Sequence, residues 1–361
     1  MATASELPDC LLVEILSFVP VRDRLRSSRV CKRWRRLVLD KTLWKRLDLS
    51  PYRVRAWSLG PGRAGPGGGG RLFRPPWIRA RPSPPCLPQV GPGVLWHLQR
   101  HYLGSGLRML RVRGRLLSVP RGSLLTPALL QELGKCCPHL TCLSLVEEDL
   151  RKMPFSCLPP SLRSLELELC EIPQSWFPPG NDPSSLPHLE RLVLNRVPAF
   201  SDTQLRGLSR LEALSSLVLR ITYRVTLRGL LDALPSLGNL QLLELSGCSV
   251  PADGVLQCMT GLLPKLREFR VTVAGLTARG LTGLRERQGL EILSLMGPPS
   301  DPDELSARDI LTSCPILPNL RILKLQGLRL GSADEAILRE RLTHCMIIVE
   351  DLPLEGWGLG D

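Results

Sequence analysis

Two histidines four residues apart are the first groups in the sequence with a spacing known from catalysis. His97 and His101 lie in the segment VLWHLQRHYL, whose pattern predicts a helix with both imidazoles on one face. A zinc protease with this spacing needs a glutamate directly after the first histidine, and the sequence has Leu98 there. We therefore interpret the two histidines as part of a partly exposed helix face.

The sequence also indicates no cysteine zinc site, no catalytic cysteine and no phosphate-binding loop. The chain has twelve cysteines, but no C-x-x-C pair and no Cys/His cluster with the spacing of a zinc site. Cys136 and Cys137 are adjacent, and no histidine with an orienting group is evident as their partner. The glycines of residues 59–70 follow no strand and lack the Gly-Lys-Ser/Thr ending of a phosphate-binding loop. We predict a chain that is no enzyme by itself, with no metal and no cofactor.

The positive charge lies mostly in the first quarter of the chain. Of the net charge of +13, residues 1–50 contribute eleven Lys/Arg against six Asp/Glu, and residues 55–89 contribute six arginines without an acid. A nucleic-acid-binding protein concentrates basic charge on a folded face, so we predict no nucleic-acid partner. No signal-peptide pattern and no apolar run of membrane-spanning length occur. We expect no membrane partner, and a location in the cytoplasm, the nucleus or both.

Repeats are the elements that organise most of the chain. From residue 140 onward, Leu-x-x-Leu-x-Leu or a close variant occurs eight times at intervals of 22 to 30 residues. Alternating leucines place two side chains on one face of a short strand, and a return with a helix brings the next strand alongside in parallel. This period is the signature of leucine-rich repeats. The predicted fold class is α/β, with a solenoid whose parallel strands line the concave side and whose helices line the convex side.

Residues 6–50 have the pattern of three short helices. Pro8 suits the first turn of a helix, apolar residues follow at helical spacing, and Pro20 ends it. Two further helices are predicted over residues 22–28 and 32–39. Three short helices in about forty residues make a thin core, and such a module often leaves apolar surface that a partner covers.

This three-helix module resembles the F-box, through Leu-Pro near its start, Ile15, Pro20, Asp23, the segment VCKRW and Trp44. Members of that family bind a Skp-family adaptor, which in turn binds the cullin and RING subunits of a ubiquitin ligase. The resemblance implies nine adaptor-facing candidates, for each of which packing between the helices is the alternative: Leu7, Pro8, Leu11, Leu12, Ile15, Leu16, Val30, Cys31 and Trp34. The arginines between residues 22 and 36 are predicted to form mostly a solvated face that is able to steer docking.

Module and repeats together resemble the F-box/leucine-rich-repeat family. Cys170 and Cys248 occupy positions where other repeat classes have asparagine, which is similar to the cysteine-containing repeats of F-box proteins. The resemblance implies a non-catalytic substrate-recognition subunit of a Skp–cullin–F-box ligase, whose repeats bind a target protein for ubiquitination and proteasomal degradation. The alternative is a leucine-rich-repeat scaffold that binds proteins outside a ligase, which leaves the F-box pattern unexplained.

The candidate substrate surface is a row of side chains on the concave side. In each strand, the residue between the last two leucines points away from the core, and these residues form one row across the solenoid. An apolar centre with charged flanks suits a protein or peptide ligand, while a solvated sheet face is the alternative. The predicted substrate-binding residues are Glu166, Val193, Val218, Glu244, Arg270 and Lys324.

Residues 55–89 interrupt the repeats. The strand pattern WKRLDL at residue 44 is followed by LRMLRV at residue 107, and removing these 35 residues brings the interval into the range of the other repeats. Seven glycines and eight prolines predict disorder, and the ends suit intron boundaries, so we interpret the segment as a retained intron or a gene-model error. The predicted domains are an F-box over residues 1–50, an insertion over 51–93 and a leucine-rich-repeat domain over 94–361.

Overall fold

Three short α-helices form the N-terminal part of the chain. The computed structural model describes residues 7–54, 89–90, 92–116, 123–178, 186–258, 262–286, 289–297, 307–314, 317–328 and 330–350. The helices are α1 (Asp9–Phe18), α2 (Val21–Ser27) and α3 (Lys32–Val38). Pro8 and Pro20 have extended backbone directly before α1 and α2, because proline fixes φ and provides no amide donor. The three predicted helices are thereby confirmed.

The rest of the described chain is built on one parallel sheet of eleven strands. Each strand pairs with the next one in sequence, in the order β1-β4-β5-β6-β7-β8-β9-β10-β11-β12-β13, while β2 and β3 pair only with each other. The strands are β1 (Arg46–Asp48), β2 (Arg53–Val54), β3 (Gln89–Val90), β4 (Met109–Arg113), β5 (Cys142–Val146), β6 (Ser164–Glu168), β7 (Arg191–Asn195), β8 (Ser216–Arg220), β9 (Leu242–Ser246), β10 (Glu268–Thr272), β11 (Ile292–Met296), β12 (Ile322–Gln326) and β13 (Met346–Glu350).

Helices and short 3-10 turns return the chain from one strand to the next. The helices are α4 (Pro92–His101), α5 (Pro127–Cys136), α6 (Asp202–Gly207), α7 (Leu227–Ala233), α8 (Ala252–Cys258), α9 (Ala278–Thr282), α10 (Ala307–Ser313) and α11 (Ser332–Arg341). The 3-10 turns are Lys41–Trp44, Phe155–Cys157, Leu208–Arg210, Leu234–Ser236 and Gly283–Glu286. The parallel solenoid with helical returns, as predicted from the repeat period, is confirmed.

Leucines at the second and fourth positions of the strands form the core. In β7, Leu192 and Leu194 are fully buried, whereas Val193 between them is partly exposed on the other face. Each fully buried leucine contributes about 1.5–3 kcal/mol relative to an exposed one. Because consecutive strands align in register, for example Leu192 with Leu165 and Leu217, the leucines stack into a continuous apolar column that no single repeat can provide.

The three-helix part and the sheet share this core. Leu12, Leu16 and Leu37 belong to the same cluster of buried residues as the strand leucines. β1, which directly follows the helices, is the first strand of the sheet and aligns Leu47 with Leu110 of β4. The strand predicted from WKRLDL is therefore confirmed, and the sheet begins within the N-terminal fifty residues.

Residues 55–88 lie outside the described residues, and so does most of the predicted insertion. On either side of it, Arg53 and Val54 of β2 align in parallel with Gln89 and Val90 of β3. The helix expected in VLWHLQRHYL is present as α4, which places His97 and His101 on an exposed face with ring centroids 4.5 Å apart. The interpretation of residues 55–89 as a retained intron stays a prediction.

A recurring clamp joins the return helices of consecutive repeats. The Asp202 carboxylate accepts hydrogen bonds from the Thr226 amide (2.8 Å) and hydroxyl (2.7 Å), and Thr226 also caps α7. Asp253 accepts the same two bonds from Thr277, at 2.7 and 2.6 Å. The helices approach so closely that a Cβ atom on Gly280 would lie 1.9 Å from Asp253 Oδ1. Each clamp therefore requires a residue without a side chain in the helix that it supports.

The turns after the strands have their own recurring geometry. Six of the described residues that directly follow a strand, among them Ile221 (φ 52°) and Gly247 (φ 61°), adopt the left-handed region. Cys170 is fully buried behind such a turn, and its thiol donates to the carbonyls of Leu145 and Glu168, both at 3.3 Å. Cys170 therefore satisfies turn carbonyls inside the core, as a buried donor is expected to do. The partly buried Cys248 makes the corresponding contacts, to the carbonyls of Leu219 (3.5 Å) and Ser246 (3.7 Å).

Candidate functional site

One face of α1 exposes three large apolar side chains. Leu11 is 44% exposed, Ile15 is 49% exposed and Phe18 is 83% exposed. The residues are separated by four and three positions, so they lie along one side of the helix. A surface apolar stripe of this kind on a short helix is typical of a site that a partner covers. We call these three residues the α1 apolar face.

Two of the predicted adaptor-facing residues point the other way. Leu12 and Leu16 are 3% and 2% exposed and belong to the shared core. In sequence, the pair Leu12–Leu16 has the same four-residue spacing as Leu11–Ile15, and α1 is able to bury only one of these stripes. The prediction that Leu12 and Leu16 belong to the adaptor-facing surface is therefore wrong; they pack α1 onto the protein.

The other predicted residues lie at the surface to different degrees. Pro8 and Cys31 are exposed, and Leu7 and Trp34 are partly buried. Val30, in the turn before α3, is 67% exposed. Their role in binding an adaptor stays a prediction.

Phe18 is the residue of this surface that sequence reasoning missed. It lies seven residues after Leu11 and continues the stripe of Leu11 and Ile15 by one turn. That spacing is visible in the sequence, but it can be interpreted only when it is known which stripe of α1 faces the core.

Arg24 of α2 connects the parts of the three-helix module. Its guanidinium, in a residue only 6% exposed, donates to four backbone carbonyls: Leu16 (3.1 Å), Leu43 (2.5 Å), Ser17 (2.9 Å) and Val19 (3.1 Å). Three of these carbonyls are at the end of α1, where the helix has no donors of its own. Arg24 is thus an exception to the solvated arginine face that the sequence predicts. The neighbouring Arg22 is exposed, as expected.

Charged pairs hold the start of α1 against α3. Asp9 accepts hydrogen bonds from Arg33 (2.8 Å) and Arg36 (2.5 Å). The hydrogen bond from Arg33 is the main cause that lowers the pKa of the Asp9 carboxyl below its ordinary value. These pairs are at the surface, where an ion pair contributes little to stability. Their effect is to orient α1, and with it the α1 apolar face.

The concave side of the sheet carries three rows of side chains. They come from the first, third and fifth positions of the strands, and the third-position row is the predicted substrate row. Its register is continuous, with Glu166 beside Val193, Val193 beside Val218, and Glu244 beside Arg270. The first and fifth positions, such as Arg191 and Asn195 in β7, were missed because only the residue between two leucines was considered.

The predicted substrate residues differ in exposure. Glu166, Val193, Arg270 and Lys324 are partly exposed. Val218 and Glu244 point to the concave side, but they are only 1% and 2% exposed. Neighbouring strands are about 5 Å apart, so longer side chains cover the shorter ones between them. The expectation that all six are open to a ligand is wrong for Val218 and Glu244, and substrate binding by the other four stays a prediction.

Glu244 is the centre of a charged network on this face. Its carboxylate accepts from Arg220 Nε (2.5 Å), Arg270 Nη1 (3.3 Å) and Ser246 Oγ (2.9 Å), and Arg270 also binds Glu268. Burial raises the pKa of the Glu244 carboxyl, but the hydrogen bonds and charges, mainly of Arg220, outweigh it and the pKa is lowered. Glu244 therefore stays ionised and fixes the two arginines above it.

The described residues contain no group of three or more His, Cys, Asp or Glu side chains that could hold a metal ion. Within the same ranges, no helix combines the length and the apolar character that crossing a bilayer requires. The cysteines in the described part of the chain are free thiols, and Cys10 and Cys31 are exposed ones in the three-helix module.

Comparison with known proteins identifies the three-helix module and the chain as a whole. A family model described as F-box-like matches residues 4–50. F-box/LRR-repeat protein 12 of Homo sapiens is 44% identical over 356 residues, which cover 98% of this chain and 98% of that protein. The chain belongs to the F-box/LRR-repeat family. The protein of the same name from Bos taurus is 43% identical, with the same coverage of both chains.

The F-box of this chain therefore comprises α1, α2, α3 and β1, and its last strand is also the first strand of the repeat sheet. F-box only protein 33 of Homo sapiens is 46% identical over 48 residues, which cover 13% of this chain and 9% of that protein. Among solved structures, an internalin C2 from Listeria monocytogenes has 18% identity and a TM-score of 0.36, covering 63% of this chain and 87% of that one. The F-box and the leucine-rich repeats predicted from sequence are confirmed.

Proposed function

We propose that the chain is the substrate-recognition subunit of a Skp–cullin–F-box ubiquitin ligase. In this proposal the F-box binds a Skp-family adaptor, the adaptor recruits the cullin and RING subunits, and the repeats bind a target protein for ubiquitination and proteasomal degradation. The chain itself is non-catalytic and acts by raising the effective concentration of the target near the ubiquitin-conjugating enzyme. The place of action is the cytoplasm, the nucleus or both.

The observation that carries the proposal is the α1 apolar face on an F-box. A partner that covers this face removes apolar surface from water, which stabilises the complex by about 1 kcal/mol or more for each side chain. Leu11 and Ile15 are about half exposed and Phe18 is largely exposed. The face belongs to a helix whose orientation is fixed by Arg24 and by the Asp9 pairs. A rigid apolar anchor that is ready before binding avoids the entropic cost of ordering.

Adaptor binding is tested with one substitution on this face and a matched control. Ile15→Glu places a charge where the partner is expected. Ile337→Glu makes the same change on α11, at a residue of similar exposure, 44% against 49%, in the last repeat. We expect Ile15→Glu to weaken co-purification of a Skp-family adaptor at least ten-fold and Ile337→Glu to leave it unchanged. Equal recovery with both variants, or no adaptor with the wild type, would overturn the proposal.

Degradation of a target is tested in the same pair of variants. Proximity labelling in cells with the proteasome inhibited identifies proteins bound by the repeats, and both variants should label the same set. Proteins of that set are expected to carry more ubiquitin with Ile337→Glu than with Ile15→Glu. If the ubiquitination of every labelled protein is the same in both cell lines, the chain is a scaffold outside a ligase.

A further inference from the structure

The two histidines of α4 belong neither to the α1 apolar face nor to the concave rows. The side chains of His97 and His101 are exposed, and their ring centroids are 4.5 Å apart. Leu98, at the position where a zinc protease has its glutamate, is fully buried. The pair is therefore no hydrolytic site, but the neutral imidazole is the commonest metal ligand in proteins.

The separation of the two rings suits a shared metal ion. An imidazole nitrogen binds Zn²⁺ at about 2.0–2.1 Å, which places the centre of the ring about 3.2 Å from the ion. When two such bonds form an angle of about 90–110°, the two ring centres are about 4.5–5.2 Å apart. The observed separation of 4.5 Å lies in this range. The exposed rings can therefore bind one ion by turning about their side-chain torsions, without a movement of the backbone.

The helix that carries the pair is fixed on its buried side. Leu95 and Leu98 are fully buried and belong to the core that the F-box and the sheet share. The Tyr102 amide donates to the Leu98 carbonyl at 2.8 Å, so the turn between His97 and His101 is complete. Residues four apart on such a turn are neighbours on one face. Both imidazoles are thus positioned before an ion binds, which lowers the entropic cost of binding.

An aromatic ring closes one side of the pair. The edge of the Tyr102 ring faces both imidazoles, at centroid distances of 5.9 and 6.5 Å, and the same ring packs against Trp44 of the F-box at 5.0 Å. The neighbouring cation Arg100 lies over the ring of Trp96, 6.0 Å from its centroid. Within the described chain no third His, Cys, Asp or Glu side chain joins the two histidines in a metal-binding group. The remaining coordination positions of an ion are therefore left to water.

We propose that His97 and His101 together bind one divalent late transition-metal ion, of the class of Zn²⁺ and Cu²⁺, across one turn of α4. Once one imidazole holds the ion, the second binds it as an intramolecular ligand at a high effective concentration. Cu²⁺ should bind more tightly than Zn²⁺, as is general for nitrogen ligands. An ion that binds only the helical form stabilises α4 against opening. The proposal departs from the prediction of no metal, which rested on spacings in the sequence, and it is independent of the proposed function.

Binding is measured by isothermal titration calorimetry of the full chain with Zn²⁺ at neutral pH. Exposed thiols, among them Cys10, Cys31 and Cys136, are first capped with iodoacetamide, because thiolates also bind this ion. We expect one ion per chain with a dissociation constant below about 100 µM. His101→Gln leaves a single imidazole and should weaken binding at least ten-fold. The control His139→Gln removes an exposed histidine that follows α5 and should bind as the wild type does.

Hydrogen exchange of α4 gives a second measurement, which does not depend on the heat of binding. With saturating Zn²⁺, the α4 amides of the wild type and of His139→Gln should exchange at least ten-fold more slowly than without the ion. The α4 amides of His101→Gln, and the α9 amides of every variant, should be unchanged.

Four results would overturn the proposal. The first is equal affinity of His101→Gln and His139→Gln for Zn²⁺. The second is the absence of saturable binding up to about 1 mM Zn²⁺. The third is loss of binding when the thiols are capped, which would assign the ion to cysteines. The fourth is unchanged exchange of the α4 amides although the ion is bound.

Discussion

Replacing Arg24 by methionine should loosen the whole three-helix module. The substitution keeps the apolar stem of the side chain and removes the guanidinium that donates to the Leu16, Ser17, Val19 and Leu43 carbonyls. A hydrogen bond to a charged group contributes about 1.5–3 kcal/mol. Counting only the bonds to Leu16 and Leu43, which are fully buried, the loss is about 3 kcal/mol. This should raise the opening equilibrium of α1 about 100-fold.

Hydrogen exchange followed by mass spectrometry measures this opening helix by helix. Amides of α1 and α2 in Arg24→Met should exchange about 100-fold faster than in the wild type, while amides of β7 to β9 should be unchanged. Arg22→Met is the matched control, since Arg22 lies two residues earlier in the same helix and is exposed. Arg24→Lys keeps the charge but not the planar fork, and we expect an intermediate rate. If Arg24→Met and Arg22→Met exchange alike, the reasoning about this residue is refuted.

Three further predictions concern the repeats. Gly280→Ala should lower the free energy of unfolding by about 1–3 kcal/mol, because its new methyl group would overlap Asp253 of the preceding repeat. Gly238→Ala is the control, since open space surrounds that residue, and it should leave the free energy of unfolding unchanged. Urea titrations of both variants measure the difference. Burial raises the pKa of the Glu148 carboxyl to about 7, above the unfolded value of about 4.5, so stability should fall as the pH rises between these values. The fall amounts to about 3 kcal/mol of unfolding free energy, and Glu148→Gln should remove it. The difference between the urea midpoints of Glu148→Gln and the wild type should therefore be more positive at pH 8 than at pH 5. Iodoacetamide at pH 8 should alkylate the exposed Cys31 and leave Cys170 unmodified in the native protein, because burial raises the pKa of the Cys170 thiol to about 12; equal labelling in the mass spectrum would contradict this.

Strand positions could be predicted because one local pattern decides them. In LERLVL, the alternation of Leu192 and Leu194 with polar or smaller residues indicates which face of the strand is buried. The repetition of the pattern predicts that the strands are parallel. The helices of the F-box could be predicted for a similar reason, since Pro8 and Pro20 mark their starts. In both cases the information lies within a few residues of the element it describes.

The faces of these elements could not be assigned in the same way, because they depend on contacts between distant segments. α1 has two apolar stripes, and only packing against the rest of the F-box shows that Leu12 is inside and Leu11 outside. Arg24 resembles its exposed neighbours in sequence, yet it lies under the end of α1. Glu244 is covered by Arg220, 24 residues earlier, and Arg270, 26 residues later.

Because the sheet is continuous from β1 to β13, the position of each repeat in the sheet sets its distance from the F-box. Since β1 belongs to the F-box and each further strand adds about 4.8 Å, a segment bound at β7 is held about 20 Å along the sheet from the F-box, and one bound at β12 about 45 Å. Under the proposed function, a target is therefore presented to the ligase at a distance set by the repeat that holds it. Two targets with identical lysines but different binding repeats would be modified at different positions, because β1 of the F-box is paired directly with β4 in the sheet that carries the repeats.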